Sequence, residues 1–423
     1  MGTFVDDRPL LAVVYSPRSR PWSEIAESAE KVCRLLWIAD KSELGTTARV
    51  LCKLGKVIDT AGRTEEDLIA AVRAEHPDGI VSYFDDDLPL QALLTTALGL
   101  PGPSVDAVMR LNDKLLQRRA LNAAGIPVPR FTEINDNIDD VEIDRLCETL
   151  SFPTLLKPRD GTASRDIVAI ADREDLVTAL KDAERPSRMI LEERLVDTSG
   201  SDWCADVVCV ETIVSRGVVS HLGVLGFFSI EQPLRLSGLF YPANIPQPEI
   251  PDLFGLATAA IHAVSGESTG YFRTEIKRTP DGWKIIEING RPSGSTPALV
   301  QLASGIPVLQ LGMRHALGEH VVVGDSASSD RISYRYISEP PTTARRISMI
   351  SGLNELRERD GVHAIDVLKE VGDPVDWRNG SLDRVFHVTG TAADYVELAE
   401  HYRACSTNCF VTYEHERSDC PTP

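Results

Sequence analysis

The sequence predicts a multidomain protein of α/β and α+β units, with a parallel βαβ domain at the N-terminus. The chain has 423 residues, more than one compact core usually accommodates. Over the first hundred residues, short apolar runs alternate with helical patterns, which is typical of a parallel sheet covered by helices. Later segments mix strand, turn and helix patterns without this regular alternation. We therefore expect an N-terminal α/β domain over residues 1–110, followed by α+β units.

The elements of the first domain follow from its apolar runs and turn residues. Residues 10–15 form an apolar run typical of a buried strand, and residues 78–82 indicate a turn entering another strand. Thr64 is a suitable N-cap for one of the helices. The predicted helices cover residues 23–35, 64–74 and 88–98.

The next boundary lies at a long amphipathic pattern over residues 106–124, which predicts one helix. Gly125 and Pro127 follow it and are typical of a helix end. Beyond it, the sequence predicts an α+β unit that extends to residue 330 and includes a helix over residues 174–183. A smaller α+β subdomain over 331–413, with a helix at 392–405, and a frayed polar tail over 414–423 complete the prediction.

Charge and hydropathy exclude several classes of protein. No run of eighteen apolar residues is present, so no membrane span is expected. The first residues do not resemble a signal peptide, and we expect a cytoplasmic protein. The formal net charge of −19 argues against nucleic acid as the main partner. It also means that any bound polyphosphate must be met by locally concentrated cations.

A β-hairpin is predicted where two alternating runs, residues 272–279 and 283–289, flank the segment Pro280-Asp281-Gly282. A three-residue loop ending in glycine suits a turn closed by a left-handed residue. In that register Thr279 opposes Trp283.

The same register predicts that Glu275 opposes Glu287, with Asn289 on the same face of the sheet. Facing carboxylates repel each other, and a divalent cation between them would remove that cost. Carboxylates and amide oxygens are ligands that Mg²⁺ prefers, and Arg291 follows where it could reach an anion. The hairpin alone also fits surface carboxylates facing solvent, so both interpretations remain open.

Two lysines and a strand could complete a nucleotide site. Lys114 lies on the predicted helix, and Lys157 ends an apolar strand. The segment 160–165 follows Lys157, and its small residues would let backbone N–H groups and Ser164 approach phosphates. Residues 189–195 form an apolar strand running into a connector, where a purine could be held. Taken singly, each lysine is more often a solvated surface charge, and residues 189–195 are a buried strand with polar residues at its exit.

In this order, these elements resemble the ATP-grasp superfamily, and most closely its carboxylate–amine ligases, the L-amino-acid (dipeptide) ligases. The resemblance runs from about residue 111 to residue 318. Its most specific tract is Glu-Ile-Asn-Gly-Arg-Pro-Ser-Gly at 287–294. It implies an ATP-grasp fold of two α+β lobes over residues 111–330, with a mobile lobe at about 130–195, and a homodimer.

The resemblance also implies roles for individual positions. Those matching nucleotide-binding residues are Lys114, Lys157, Ser164, Arg165, Glu192, Glu193, Leu195 and Asp202. Those matching metal ligands are Glu275, Glu287 and Asn289, and Arg291 and Ser164 match catalytic positions. The chain departs from the family pattern at Ala163 and Asp166, which stand where glycines are common. Asp166 also adds negative charge near the expected phosphates.

The implied function is that of an enzyme using ATP and Mg²⁺, with Mn²⁺ as a possible replacement. It would activate a small-molecule carboxylate, that of an amino acid, as an acyl phosphate and join it to an amine. Two alternatives stay open. One is a ligase of the same fold with a nucleotide-precursor amine or a carrier-bound acceptor. The other is a non-catalytic ATP-binding regulatory protein, which the altered phosphate loop would favour.

Overall fold

The computed structural model describes residues 6–161, 165–231, 235–323, 329–406 and 410–415. The described chain contains a four-stranded parallel sheet, a four-stranded antiparallel sheet and an eight-stranded sheet, with two additional strand pairs. The predicted mixture of α and β structure beginning with a parallel sheet is confirmed. No helix in the described ranges combines the length and apolar character needed to cross a bilayer.

The N-terminal sheet consists of β1 (Leu10–Val14), β2 (Arg34–Ala39), β3 (Gly55–Asp59) and β4 (Gly79–Ser82). Its strands are parallel in the order β3–β2–β1–β4. The associated helices are α1 (Trp22–Ala29), α2 (Thr47–Leu54), α3 (Glu65–Arg73) and α4 (Leu88–Leu98). The predicted helix over residues 23–35 was wrong at its C-terminal end, because β2 pairs with β1 and buries Trp37 and Ile38 in the sheet.

The predicted single helix over residues 106–124 is two helices, α5 (Val105–Asn112) and α6 (Lys114–Ala123). The break lies at Asp113, whose backbone is extended and whose carboxylate accepts hydrogen bonds from the N–H groups of Leu115 and Leu116. Aspartate is a favoured N-cap residue because it satisfies N–H groups that lack partners within the helix. Lys114 is consequently the first residue of α6.

A smaller antiparallel sheet follows, with strands β5 (Phe131–Glu133), β6 (Thr154–Pro158), β7 (Val168–Ile170) and β8 (Met189–Glu193). The strand order is β5–β8–β6–β7. Helices α7 (Asp140–Thr149) and α8 (Arg173–Asp182) pack against it through buried leucines and isoleucines. Because β6 and β8 are neighbours, Lys157 and Glu192 come from adjacent strands.

The eight-stranded sheet joins the middle of the chain to its C-terminal part. In chain order, its strands are β9 (Cys204–Ser215), β10 (Val218–Phe228), β13 (Gly238–Tyr241), β14 (Gly270–Thr279), β15 (Gly282–Asn289), β16 (Ile332–Ser338), β18 (Val362–Val367) and β19 (Phe386–Ala392). Their spatial order is β15–β14–β9–β10–β13–β16–β19–β18. The C-terminal strands therefore continue the same sheet that carries the predicted hairpin.

Helices cover both faces of this sheet near the hairpin. α9 (Ile250–Ser265) packs with α6 on one face, where Ile261, Phe272 and Ile288 share a buried cluster. On the other face, Leu299 of α10 (Thr296–Ser304) packs against Cys209, and α11 (Val308–Ala316) follows. The second face also carries Glu275, since Glu275 pairs with Cys209 across β14 and β9.

The remaining elements lie around the C-terminal strands. They are the strand pairs β11 (Ile230–Glu231) with β12 (Arg235–Leu236) and β17 (Ala344–Ile350) with β20 (Val411–His415), and the helices α12 (Leu353–Arg357) and α13 (Tyr395–Ser406). The predicted helix at 392–405 thus begins three residues later. Residues 414 and 415, which were assigned to the frayed tail, belong to β20.

The hairpin of β14 and β15 differs from its predicted register near the turn. Thr279 pairs with Gly282, so the turn is one residue shorter than expected. A bulge at Ile286 then shifts the pairing by one residue, because Ile276 pairs with Ile285 while Glu275 pairs with Glu287. The predicted opposition of Glu275 and Glu287 is confirmed, although the predicted pairing of Thr279 with Trp283 was wrong.

Candidate active site

Glu275 and Glu287 form one wall of a cavity, and each carboxylate is met by a basic side chain. Lys114 Nζ lies 3.0 Å from Glu287 Oε1, and Arg273 Nε lies 3.1 Å from Glu275 Oε1. Burial acts to raise the pKa of Glu287, but the charge and hydrogen bond of Lys114, together with the charges of Arg118 and Lys157, lower it. Each carboxylate therefore has a protein cation beside it, which offsets part of the repulsion that a metal ion was expected to remove.

Lys114 also fixes the chain segment that enters the predicted phosphate loop. Its Nζ donates to the carbonyl oxygen of Gly161 at 2.5 Å, and its backbone N–H donates to the carbonyl of Arg159 at 2.7 Å. Arg159 in turn donates to Asp113 at 2.6 Å. The start of α6 therefore holds both the end of β6 and a carboxylate of the hairpin.

Lys157 is held by a buried ionic network. Its Nζ donates to Glu192 Oε2 at 2.8 Å, and Arg118 Nε lies 2.8 Å from Glu192 Oε1. The Glu192 side chain is fully buried. Burial alone would raise the pKa of Glu192, but the charges of Arg118 and Lys157 outweigh it and lower the pKa to about 2. Glu192 is consequently an ionised counterion that orients Lys157 toward the cavity.

The cavity encloses about 1030 Å³ of empty space, including the part open to solvent. Its lining combines basic, acidic and apolar side chains, which suits a ligand with a charged end and a flat apolar end. The basic residues are Lys114, Lys157, Arg165, Arg194 and Lys277, and the acidic residues are Glu193, Glu275 and Glu287. The apolar residues include Leu155, Ile167, Leu195, Val207, Ile230, Leu236 and Ile286. Despite the acidic net charge of the chain, basic side chains are thus concentrated where a polyphosphate would require them.

Seven of the predicted site residues line this one cavity. They are Lys114, Lys157, Arg165, Glu193, Leu195, Glu275 and Glu287. Ser164 lies outside the described residues. Glu192 was also predicted at the nucleotide; its side chain is buried between Arg118 and Lys157 and does not line the cavity. Asp202 does not line the cavity and pairs with Arg403 at 3.1 Å, so its position does not support a contact with ribose.

Asn289 and Arg291 lie beyond the carboxylates on the same chain segment. Asn289 pairs with Arg273 across the hairpin, and its side chain makes no hydrogen bond to another described residue. Arg291 Nε donates to Asp85 Oδ2 at 2.9 Å. Asp85 is buried and follows β4, so the segment after β4 orients this arginine.

Sequence reasoning missed the side chains that support the site. Arg118 lies one helical turn after Lys114, and that i to i+4 spacing indicated a shared face. Arg273 lies two residues before Glu275, so strand alternation also placed it on the same face. Glu211 accepts hydrogen bonds from Arg273 at 3.3 Å and from Thr296 at 2.9 Å. No local pattern distinguished Glu211, because it becomes a partner only through the pairing of β9 with β14.

The donor atoms fit a hard divalent cation. Glu275 and Glu287 offer opposed carboxylates, and Asn289 follows with an amide oxygen on the same face, all of them ligands suited to Mg²⁺. Within the described ranges, no group of three or more His, Cys, Asp or Glu side chains is arranged to hold a metal by itself. The set therefore suits an ion that completes its coordination with phosphate and water.

Curated relatives match part of the chain, while no protein-family model matches it. The uncharacterised protein y4rH of Sinorhizobium fredii is 25% identical over 300 residues, which cover 69% of this chain and 59% of that protein. The carbamoyl phosphate synthase large chain of Vibrio cholerae is 26% identical over 266 residues, which cover 60% of this chain and 23% of that protein. The chain thus matches less than two thirds of the length of either relative.

Solved structures match nearly the whole chain. The L-amino acid ligase of Bacillus licheniformis has a TM-score of 0.77 at 20% identity and covers 97% of this chain and 99% of its own. The carboxyaminoimidazole ribonucleotide synthase of Aspergillus clavatus, solved with ATP, has a TM-score of 0.71 at 16% identity and covers 94% and 96%. At these identities the likeness shows the fold. The chain has the fold of the ATP-grasp carboxylate–amine ligases, as its motifs predicted.

Proposed function

We propose that this chain is an ATP-dependent ligase that activates the carboxylate of an amino acid as an acyl phosphate. An amine then displaces the phosphate, giving an amide or dipeptide with ADP and inorganic phosphate. The main support is that the opposed carboxylates of Glu275 and Glu287 line one cavity together with Lys114 and Lys157. The overall likeness to an L-amino acid ligase supports an amino acid as the substrate.

The cavity residues divide the work of holding ATP. Lys114 and Lys157 supply positive charge for the phosphates, and Arg165 enters from the loop after β6. Leu195 and the apolar wall around it offer a slot for the purine. Phosphoryl transfer depends mostly on positioning and on neutralising charge. A cavity that concentrates cations at one end and apolar surface at the other provides both.

Glu275, Glu287 and Asn289 would hold Mg²⁺, which when bound neutralises phosphate charge and polarises the transferred phosphoryl group. Lys114 Nζ lies 3.0 Å from Glu287 Oε1. When Mg-ATP binds, the Lys114 ammonium group would leave the Glu287 carboxylate and contact phosphate oxygens instead. The ion pair therefore keeps the carboxylate ionised and ready to act as a ligand.

Arg291 is proposed to stabilise the oxyanion that forms when the amine attacks the acyl phosphate. Its pairing with Asp85 fixes the guanidinium before substrate binds. Removing such a donor typically costs on the order of 3 kcal/mol in the barrier. Ser164 and Arg165, on the small-residue segment after β6, are proposed to cover the phosphates and exclude water, which would otherwise hydrolyse the acyl phosphate.

The direct test is to incubate the protein with Mg-ATP and pools of amino acids and to measure ADP, AMP and phosphate separately. The proposal predicts ADP and phosphate release that depends on a carboxylate–amine pair. ATP binding without stimulated release for any pair would contradict ligation and favour a regulatory protein. Release only with a nucleotide-precursor amine or a carrier-bound acceptor would keep the chemistry and change the substrate class.

The residue-level test is Glu287→Gln, which preserves shape but removes a metal-binding charge. We expect turnover to fall by on the order of a hundredfold or more, with unchanged circular dichroism. Asp281→Asn is the matched control, since Asp281 is exposed in the turn of the same hairpin and does not line the cavity. Full activity in Glu287→Gln would refute the metal assignment.

A further inference from the structure

A second group of basic side chains lies on the C-terminal part of the eight-stranded sheet. We call Arg335, Arg384 and His387 the C-terminal basic cluster. Arg335 donates from Nε to Thr389 Oγ1 at 3.0 Å and from Nη1 to Ser295 Oγ at 3.4 Å. Thr389 faces Arg335 across β16 and β19, and His387 lies two residues along β19 on the same face. Arg384 lies just before β19.

The two arginines of this cluster have no carboxylate partner among the described residues. Asp366 and Glu24 attract Arg335 only from a distance, since neither is within 4.0 Å of its guanidinium. Glu339 attracts Arg384, and Glu339 also pairs with Arg235 at 3.5 Å. Burial lowers the pKa of both Arg335 and Arg384. Their charges are therefore partly desolvated without a carboxylate in contact.

His387 adds a donor without adding charge. It is only 8% exposed, and its Nε2 makes no hydrogen bond within the described part of the chain. Burial, assisted by the charges of Arg384 and Arg335, lowers the pKa of His387 to about 3. At neutral pH the ring is uncharged and offers one N–H. A buried polar atom without a partner is costly, and an anion against the cluster would remove that cost.

The C-terminal basic cluster is connected to the proposed reaction centre through adjacent contacts. Ser295, which accepts from Arg335, precedes Thr296, which donates to Glu211 at 2.9 Å. Glu211 accepts from Arg273, and Arg273 pairs with Glu275 at 3.1 Å. The cluster is therefore linked to the segment that follows Arg291, and its residues do not line the cavity.

We propose that the C-terminal basic cluster binds an anionic group of the amine substrate, either a carboxylate or a phosphate monoester. This inference rests on the proposed ligase function, because it concerns the second substrate of that reaction. The acid substrate uses its own carboxylate in the reaction near Glu275 and Glu287. An amino acid that attacks through its α-amine keeps an unreacted carboxylate, which needs donors elsewhere. Arginine guanidinium groups suit carboxylate and phosphate alike.

The proposal can be tested without knowing the substrate, by NMR of the histidine side chains during titration with acetate or inorganic phosphate. His387→Gln assigns the His387 resonance. We expect at least one of the anions to shift that resonance, and Arg335→Met and Arg384→Met to weaken the response. A stronger response to phosphate would identify a phosphate monoester, and a stronger response to acetate a carboxylate. No response to either anion would overturn the proposal.

The kinetic test compares each amino acid that acts as the amine with its carboxamide. The wild-type enzyme should prefer the carboxylate form, and Arg335→Met should raise the KM for that form on the order of tenfold to a hundredfold. The kcat and the KM for ATP should change little, and Arg335→Lys should recover part of the loss. Arg378→Met is the control, because Arg378 is an exposed arginine paired with Asp376.

The two tests separate the two proposals. If no acid–amine pair releases ADP, the ligase function fails, while the NMR titration still reports whether an anion binds the cluster. If ligation occurs but Arg335→Met leaves the KM of every amine unchanged, the inference about the cluster fails and the ligase function stands.

Discussion

Replacing Glu192 by glutamine would remove a carboxylate that two cations share inside the protein. Glutamine keeps the volume of the side chain, so little packing is lost. Arg118 and Lys157 would remain buried beside a neutral amide, each without its carboxylate partner. Breaking a buried ion pair by neutralising one partner commonly costs about 3–5 kcal/mol, because the other charge is left uncompensated.

The pKa of Glu192 gives a second estimate of the same magnitude. A carboxyl with a pKa of about 2 in the folded chain and an ordinary value of 4.5 when unfolded contributes on the order of 3 kcal/mol to the folded state. Because the folded pKa is the lower one, this contribution is present above about pH 4.5. It is lost as the pH falls toward 2. The stability difference between wild type and Glu192→Gln should therefore shrink over that pH range.

Hydrogen exchange followed by mass spectrometry would measure the effect locally, in peptides that cover β6 and β8. This choice avoids assuming that a chain of this length unfolds in one step. At pH 7 we expect exchange in these strands to be on the order of a hundredfold faster in Glu192→Gln, the factor that about 3 kcal/mol implies. Other peptides should change less.

The control for this prediction is Glu75→Gln, because Glu75 pairs with the exposed Lys56 at 2.5 Å near the surface. Surface pairs contribute about 0–1 kcal/mol, so exchange should change little there. Unchanged exchange of β6 and β8 in Glu192→Gln would show that Glu192 is not the counterion that holds Lys157. A difference that grows as the pH falls below 4.5 would refute the sign of the argument.

Three further predictions concern the reaction. Lys114→Met should raise the KM for ATP. It should also move the acidic limb of the pH–rate profile to higher pH, since Lys114 is the first of the cations that lower the pKa of Glu287. An unmoved limb would contradict this. Arg291→Met should lower kcat by about 10²–10³-fold. Asp85→Asn should lower kcat less, because it only releases the guanidinium of Arg291. If steady-state kinetics show a change in KM without a change in kcat, Arg291 binds substrate and does not stabilise the oxyanion. Asp166 has a left-handed backbone, with φ of 56°, so Asp166→Gly should stabilise the loop by about 1 kcal/mol and lower the KM for ATP. A higher KM for ATP would mean that the aspartate contributes to the site.

The hairpin shows how far the sequence could predict the site. The opposition of Glu275 and Glu287 was predicted from a three-residue loop, but the turn is one residue shorter and a bulge at Ile286 adds one residue back. The two deviations cancel at the carboxylates, so the faces were right while the pairing at Thr279 was wrong. Alternation along a strand is a local property, whereas a bulge depends on what the neighbouring strand and cavity accept.

The supporting residues could be predicted less well, because their roles depend on contacts between distant segments. Glu192 was assigned to the nucleotide from the family resemblance, and strand alternation alone does not say whether its side chain lines the cavity or is buried beside it. The helix break before Lys114 could have been predicted from the sequence, since aspartate at position 113 is a favoured N-cap. The strand at Arg34–Ala39 was missed because its first two residues were assigned to the end of a helix.

Isotope transfer tests the central claim most directly. An acid substrate carrying ¹⁸O in both carboxylate oxygens would be ligated in the presence of Mg-ATP, and the phosphate analysed by mass spectrometry. If the carboxylate attacks the terminal phosphorus, its oxygen bridges carbon and phosphorus, and the amine expels it with the phosphate. The account predicts ADP and inorganic phosphate with one ¹⁸O atom per product formed. Unlabelled phosphate, or label found in AMP instead, would contradict it.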